Sequence, residues 1–81
     1  MTDDEIRTIV LRVIGDIAPE ADAQRIDPDA PLRDQLDLDS MDLLNIMIGL
    51  HEALHVDIPE TDYPSLATLN AAVAYLRERS P

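Results

Sequence analysis

Apolar positions along the chain fall into three runs with helical spacing, separated by segments rich in proline and aspartate. In the first run Ile6, Ile9, Val10, Val13, Ile14 and Ile17 recur at intervals of three and four, one stripe of a helical period. The spacing predicts a helix from Thr2 or Asp3 to about Ile17. Thr2 with Glu5 three residues on is a capping-box signature, Asp3 and Asp4 suit the positive end of the helix dipole, and Pro19 ends the run. A long connection follows from Pro19 to Asp39. Ile26, Leu32, Leu36 and Leu38 punctuate it as anchors to a core, with a short helical turn expected around Leu32 to Leu36.

The second long helix is predicted from Ser40 to Leu54, with Asp39 as N-cap and Asp42 at the third helical position. Leu43, Ile46, Met47, Leu50 and Leu54 form its core stripe. Met41, Leu44 and Ile48 lie beside that stripe, so the apolar surface is wider than packing alone requires. Val56 to Pro59 reads as a connector, because Pro59 pushes Ile58 toward an extended backbone. A short helical piece from Glu60 to about Tyr63 is expected before Pro64. The last helix starts near Ser65 or Thr68 and runs to about Arg79, burying Leu66, Leu69, Val73 and Leu76. No strand alternation, hairpin signal or internal repeat occurs. The expected fold is all-α, a small four-helix bundle of three long helices and one short one.

Composition narrows this picture. A length of 81 residues allows one domain, residues 1–81, with one small core. There is no cysteine, so neither a disulfide nor a thiolate zinc site can brace it. A signal-peptide pattern and an apolar run long enough to span a bilayer are both lacking, which points to a soluble, cytoplasmic protein without membrane insertion. The formal charge is −11. Such a surface repels nucleic acid and steers the chain toward basic partner surfaces. The charge is also uneven: Asp27, Asp29, Asp34, Asp37, Asp39 and Asp42 crowd one segment that holds a single cation, Arg33.

Three motifs within this frame invite chemistry. His51-Glu52-Ala53-Leu54-His55 spells the H-E-x-x-H string of zinc proteases, in which histidines one helical turn apart share a metal. A metalloprotease also needs a third ligand and a substrate cleft, while Leu54 is required in the core and His55 falls at or beyond the helix end. No metal site is expected. The acidic loop around Asp37 fails the calcium-loop register, with Met41 and Asp42 standing where an oxygen ligand and glycine belong. Nucleophilic catalysis by Ser40 would need a base in reach, and His51 and His55 lie ~16 Å and ~22 Å away along the helix. Ser40 is not an enzyme's nucleophile. A serine at the first turn of a helix, between Asp39 and Met41, is nonetheless well placed to present its hydroxyl as a substrate for modification.

The stretch from Leu32 through Asp39-Ser40-Met41-Asp42 to Leu44 resembles the attachment-site segment of acyl carrier proteins, where Asp-Ser-Leu-(Asp/Glu) follows an acidic loop. Leu50-His-Glu-Ala-Leu54, Asp57-Ile-Pro59 and Thr68 to Leu76 are similar to that family's second-helix end, Ile-Pro connector and last helix. The resemblance implies a carrier without catalytic residues, whose Ser40 receives 4′-phosphopantetheine from coenzyme A through a separate phosphopantetheinyl transferase. Asp39 would position the serine and help the transferase recognise it. Acyl or aminoacyl groups would ride as thioesters on the arm, delivered to transferring, ligase or synthase enzymes with basic docking surfaces. The implied partner face comprises Leu38, Met41, Asp42, Leu44, Asn45, Ile48 and Glu52 on a monomer. Departures from the family pattern point to a specialised fatty-acid, polyketide or related pathway. Asp37-Leu38 replaces the Gly-Ala or Gly-Gly common before the Asp-Ser, and Asn45 and His51 stand where glutamate is common. The rival is a non-carrying interaction module of the same fold, with Ser40 as a cap alone.

Overall fold

The computed structural model describes residues 1–80. Helix α1 spans Asp3–Ile17, and its capping box forms as the sequence predicts: the Glu5 amide donates to the Thr2 hydroxyl and the Thr2 amide to the Glu5 carboxylate. A short α2 occupies Leu32–Gln35, α3 spans Ser40–Leu54, and α4 spans Leu69–Arg79 with Thr68 as N-cap. Among the described residues there is no strand, in agreement with an all-helical bundle.

Two elements differ from expectation. A 3₁₀ turn at Ala23–Arg25 interrupts the long connection, started by Asp22, whose carboxylate accepts the Gln24 amide. The piece beginning at Glu60 is a 3₁₀ helix that runs through Pro64 to Leu66 rather than stopping before the proline. Proline's fixed φ near −65° suits 3₁₀ geometry, and its missing N–H removes only one bond of a short helix.

Helix α1 packs against both α3 and α4, and the 3₁₀ helix packs on α4. Ile6, Val10, Ile14, Leu50 and Leu76 are essentially fully enclosed, each contributing about 1.5–3 kcal/mol by burial. The helices approach closely at Gly49, where an added Cβ would lie 2.7 Å from a Val13 methyl. The core also contains Tyr75, an aromatic ring in what the sequence suggests is an aliphatic and methionine interior. Its hydroxyl emerges to donate to Asp62 at 2.7 Å.

Polar side chains tie the connection down. The Gln35 amide accepts from the Asp27 N–H and donates to the carbonyls of Asp27 and Ala30. Asn70 donates to Asp29 and accepts from Arg7, joining the acidic segment to α4 and α1. Ile26, Leu32 and Leu38 are buried anchors and Leu36 packs at their edge, as their spacing suggests.

Candidate functional site

The N-terminus of α3 is built by a second capping box. Asp39 is extended (φ −91°, ψ 179°), and its carboxylate accepts the Asp42 amide at 2.8 Å. The Asp39 amide donates to the Asp42 carboxylate at 3.2 Å, and the Leu43 amide to the Asp39 carbonyl. Ser40 is therefore the first helical residue and not the cap. Its side chain is exposed, and its hydroxyl makes no hydrogen bond among the described residues. The backbone N–H groups of Ser40 and Met41 likewise have no partner there. An exposed hydroxyl thus stands beside two free donors at the positive end of a 15-residue helix.

That arrangement fits a phosphodiester. Unpaired amides and the helix dipole favour an anion at this end. The neighbouring carboxylates oppose one, but each has an oxygen tied to a backbone amide. A thiol-bearing group would also supply what the chain lacks, since it has no cysteine.

The loop before the site explains the first departure from the glycine-containing pattern. Asp37 has φ 53°, the left-handed conformation that favours glycine. Aspartate is among the few other residues that adopt it readily. The turn survives without glycine, and the buried Leu38 follows it directly.

Leu38 is the one residue of the expected partner face that the structure moves elsewhere. It is 5% exposed and belongs to the core, directly after the left-handed turn at Asp37. Met41, Leu44 and Ile48 are 62%, 39% and 44% exposed and share one helical face. Asn45 and Glu52 are exposed, and Asp42 is half-buried in its capping role. His51 and His55 have separate local roles. The His51 Nδ1 lies 2.9 Å from the Val56 carbonyl, and His55 is the left-handed residue (φ 55°) that ends α3.

Behind the core stripe of α3 lies an apolar cavity of about 340 Å³. Leu43, Ile46 and Met47 form one side and Tyr63, Pro64 and Leu66 of the 3₁₀ helix another. The sequence marks the α3 side through its period. The 3₁₀ side carries no comparable signal, because a seven-residue helix with an internal proline shows no stripe.

Comparison with known proteins agrees with this geometry. Residues 4–76 match the family model described as "Phosphopantetheine attachment site". The chain is 31% identical over 71 residues to an acyl carrier protein of Desulforapulum autotrophicum, covering 88% of this chain and 92% of that one. It is also 31% identical over 75 residues to an acyl carrier protein of Rubrobacter xylanophilus, covering 89% and 93%. The solved acyl carrier protein of Enterococcus faecalis superposes with a TM-score of 0.82 over 99% of this chain and 100% of that one, at 24% identity, a likeness of fold. With the family model spanning nearly its whole length, the chain belongs to the acyl carrier protein family, whose members catalyse nothing themselves and carry acyl groups on covalent 4′-phosphopantetheine.

Proposed function

We propose that Ser40 is the attachment residue and that residues 1–81 act as one carrier domain in the cytoplasm, as a monomer. The observation that carries this is the unused hydroxyl at the first position of α3, with capping already done by Asp39. In loading, the Ser40 oxygen attacks the coenzyme A phosphorus nearer the pantetheine. The pyrophosphate bond breaks, the nucleotide portion leaves, and the serine proton passes to a base on the transferase. The group then supplies the thiol that holds an acyl or aminoacyl chain as a thioester. Asp39 holds the first turn in place and presents a charge to the transferase.

The partner surface we assign is Met41, Asp42, Leu44, Asn45, Ile48 and Glu52. Its centre is apolar and its carboxylates are few, while the acidic residues concentrate in the preceding segment. Contact with a partner enzyme then rests more on Met41, Leu44 and Ile48 than on ion pairs along α3. This supports a specialised fatty-acid, polyketide or related pathway over housekeeping synthesis. Ordinary affinity for a housekeeping ketosynthase would count against that assignment.

The deciding experiment is intact mass after incubation with coenzyme A, Mg²⁺ and a broad-specificity phosphopantetheinyl transferase. A gain of one phosphopantetheine that disappears in Ser40→Ala is expected. An unmodified chain with several transferases would overturn the assignment.

A further inference from the structure

The apolar cavity has one wall that is weakly built. Tyr63, Pro64 and Leu66 come from the 3₁₀ helix, which lacks one internal donor at Pro64 and packs on α4. The side-chain hydrogen bond fastening that wall comes from Tyr75 of α4, whose hydroxyl donates to Asp62 at 2.7 Å. The donor is enclosed and contacted from one side by Arg79. The Tyr75 ring is buried, and the Arg79 guanidinium stacks 3.8 Å from its centre while also donating to the Tyr75 carbonyl. Burial first, and then the Asp62 carboxylate, push the Tyr75 phenol above its ordinary value, keeping it a donor over the whole neutral range. Neither Asp62 nor Tyr75 lines the cavity.

We propose that the Asp62–Tyr75 pair is a latch that positions the 3₁₀ wall and thereby sets how readily the cavity admits an apolar chain. Resting on the carrier reading only for what that chain is in the cell, the latch is a property of the unmodified protein. It acts through the wall, as a pair of positioning residues. A hydrogen bond to a charged acceptor is among the stronger kinds, so its loss frees the segment locally while Leu66 still holds its end.

The test uses the unmodified full chain, Tyr75→Phe, which keeps the ring and removes the donor, and Asp62→Asn, which keeps a weaker acceptor. Amide hydrogen exchange is followed by residue, and uptake of the uncharged apolar dye Nile red is followed by stopped flow. In Tyr75→Phe, exchange in residues 60–66 is expected to quicken about tenfold or more, with α1 and α3 unchanged. The dye should enter and leave faster, with Asp62→Asn intermediate. Three results would overturn the latch: unchanged exchange in residues 60–66, equal acceleration in all helices, or a loosened wall with unaltered dye kinetics. Should Tyr75→Phe fold poorly, Asp62→Ala, which alters a half-buried residue, supplies the same comparison. Ser40→Ala should take up dye like the parent chain, so failure of the attachment assignment and failure of the latch are read separately.

Discussion

Helices α1 and α3 begin with the same device and put it to different uses. At α1 the cap is Thr2, and its hydroxyl is spent: it accepts the Glu5 amide, while Glu5 returns a carboxylate to the Thr2 amide. At α3 the cap is Asp39, with Asp42 returning the carboxylate, so the hydroxyl of the following Ser40 has no structural task. Helix α4 repeats the first arrangement, since the Thr68 hydroxyl accepts the Ala71 amide. A hydroxyl at a helix start is ordinarily consumed by the backbone. Moving the capping duty one residue earlier, onto a carboxylate, releases the serine. What separates a helix end whose hydroxyl is spent from one whose hydroxyl is spare is a shift of a single position.

Exchanging the roles of the two ends gives the largest effect. Ser40→Ala should abolish loading by a phosphopantetheinyl transferase while changing stability by less than about 0.5 kcal/mol, because the hydroxyl makes no bond that folding uses. Thr2→Ala should do the reverse, with full loading and a loss of about 1 kcal/mol in denaturant unfolding. Loading at normal rate in Ser40→Ala would end the assignment of the attachment residue.

The contrast depends on both helices being seated in one core, and Gly49 sets that seating. A methyl there meets a Val13 methyl at 2.7 Å, too close unless the Val13 side chain or the two helices shift. Gly49→Ala gains helix propensity of about 1 kcal/mol, yet overpacking typically costs about 1–3 kcal/mol. Net destabilisation is expected by chemical unfolding, and Val13→Ala should relieve the clash in the double variant. Stabilisation by Gly49→Ala alone would mean the interface gives way easily.

Much of this was legible from the pattern, for identifiable reasons. The bounds of α1 and α3 follow from apolar stripes that end in recognisable caps, so period and punctuation agree. The 3₁₀ turn at Ala23–Arg25 has no period to reveal it, since three residues contain no repeat. Leu38 reads as a core anchor by its spacing and as part of the partner face only by family resemblance. Its burial keeps the first reading, and the left-handed turn at Asp37 before it is one that aspartate does not announce as glycine would. The Tyr75–Asp62 contact joins residues of separate elements, and no local rule couples them. Ser40 itself stood out through its flanking residues. The Asp39 cap is read from the sequence as well, and the structure adds that the Ser40 hydroxyl then has no hydrogen-bond partner among the described residues.

Asp39 sharpens the comparison by separating capping from recognition. Asp39→Ala removes the carboxylate that accepts the Asp42 amide and should cost about 1 kcal/mol. Asp39→Asn keeps an acceptor oxygen and should cost only a few tenths, since asparagine caps about as well. If the charge also guides the transferase, loading by Asp39→Asn should slow although α3 remains capped. Equal loading rates in the parent and Asp39→Asn would confine Asp39 to its structural role.

The smallest effect belongs to α1 and depends on acid. The Thr2 backbone amide, and secondarily its hydroxyl, hold the Glu5 carboxyl below its ordinary value of about 4.5. A depressed folded value means that protons bind the unfolded chain more readily. The contribution of Glu5 is therefore fully present above the ordinary value and is lost as pH falls through the folded one. Because the pair is exposed, solvent screens it and the loss should be slight, a fraying of the first turn without unfolding. Carbon-detected NMR should place the Glu5 midpoint below that of an unstructured glutamate, with exchange of the α1 first-turn amides quickening over the same interval. Glu5→Gln, which takes up no proton there, should remove that acid-dependent drift. An ordinary Glu5 midpoint would mean that the hydroxyl cap of Thr2 works alone, and that the reciprocal carboxylate contributes nothing measurable to the closed helix end.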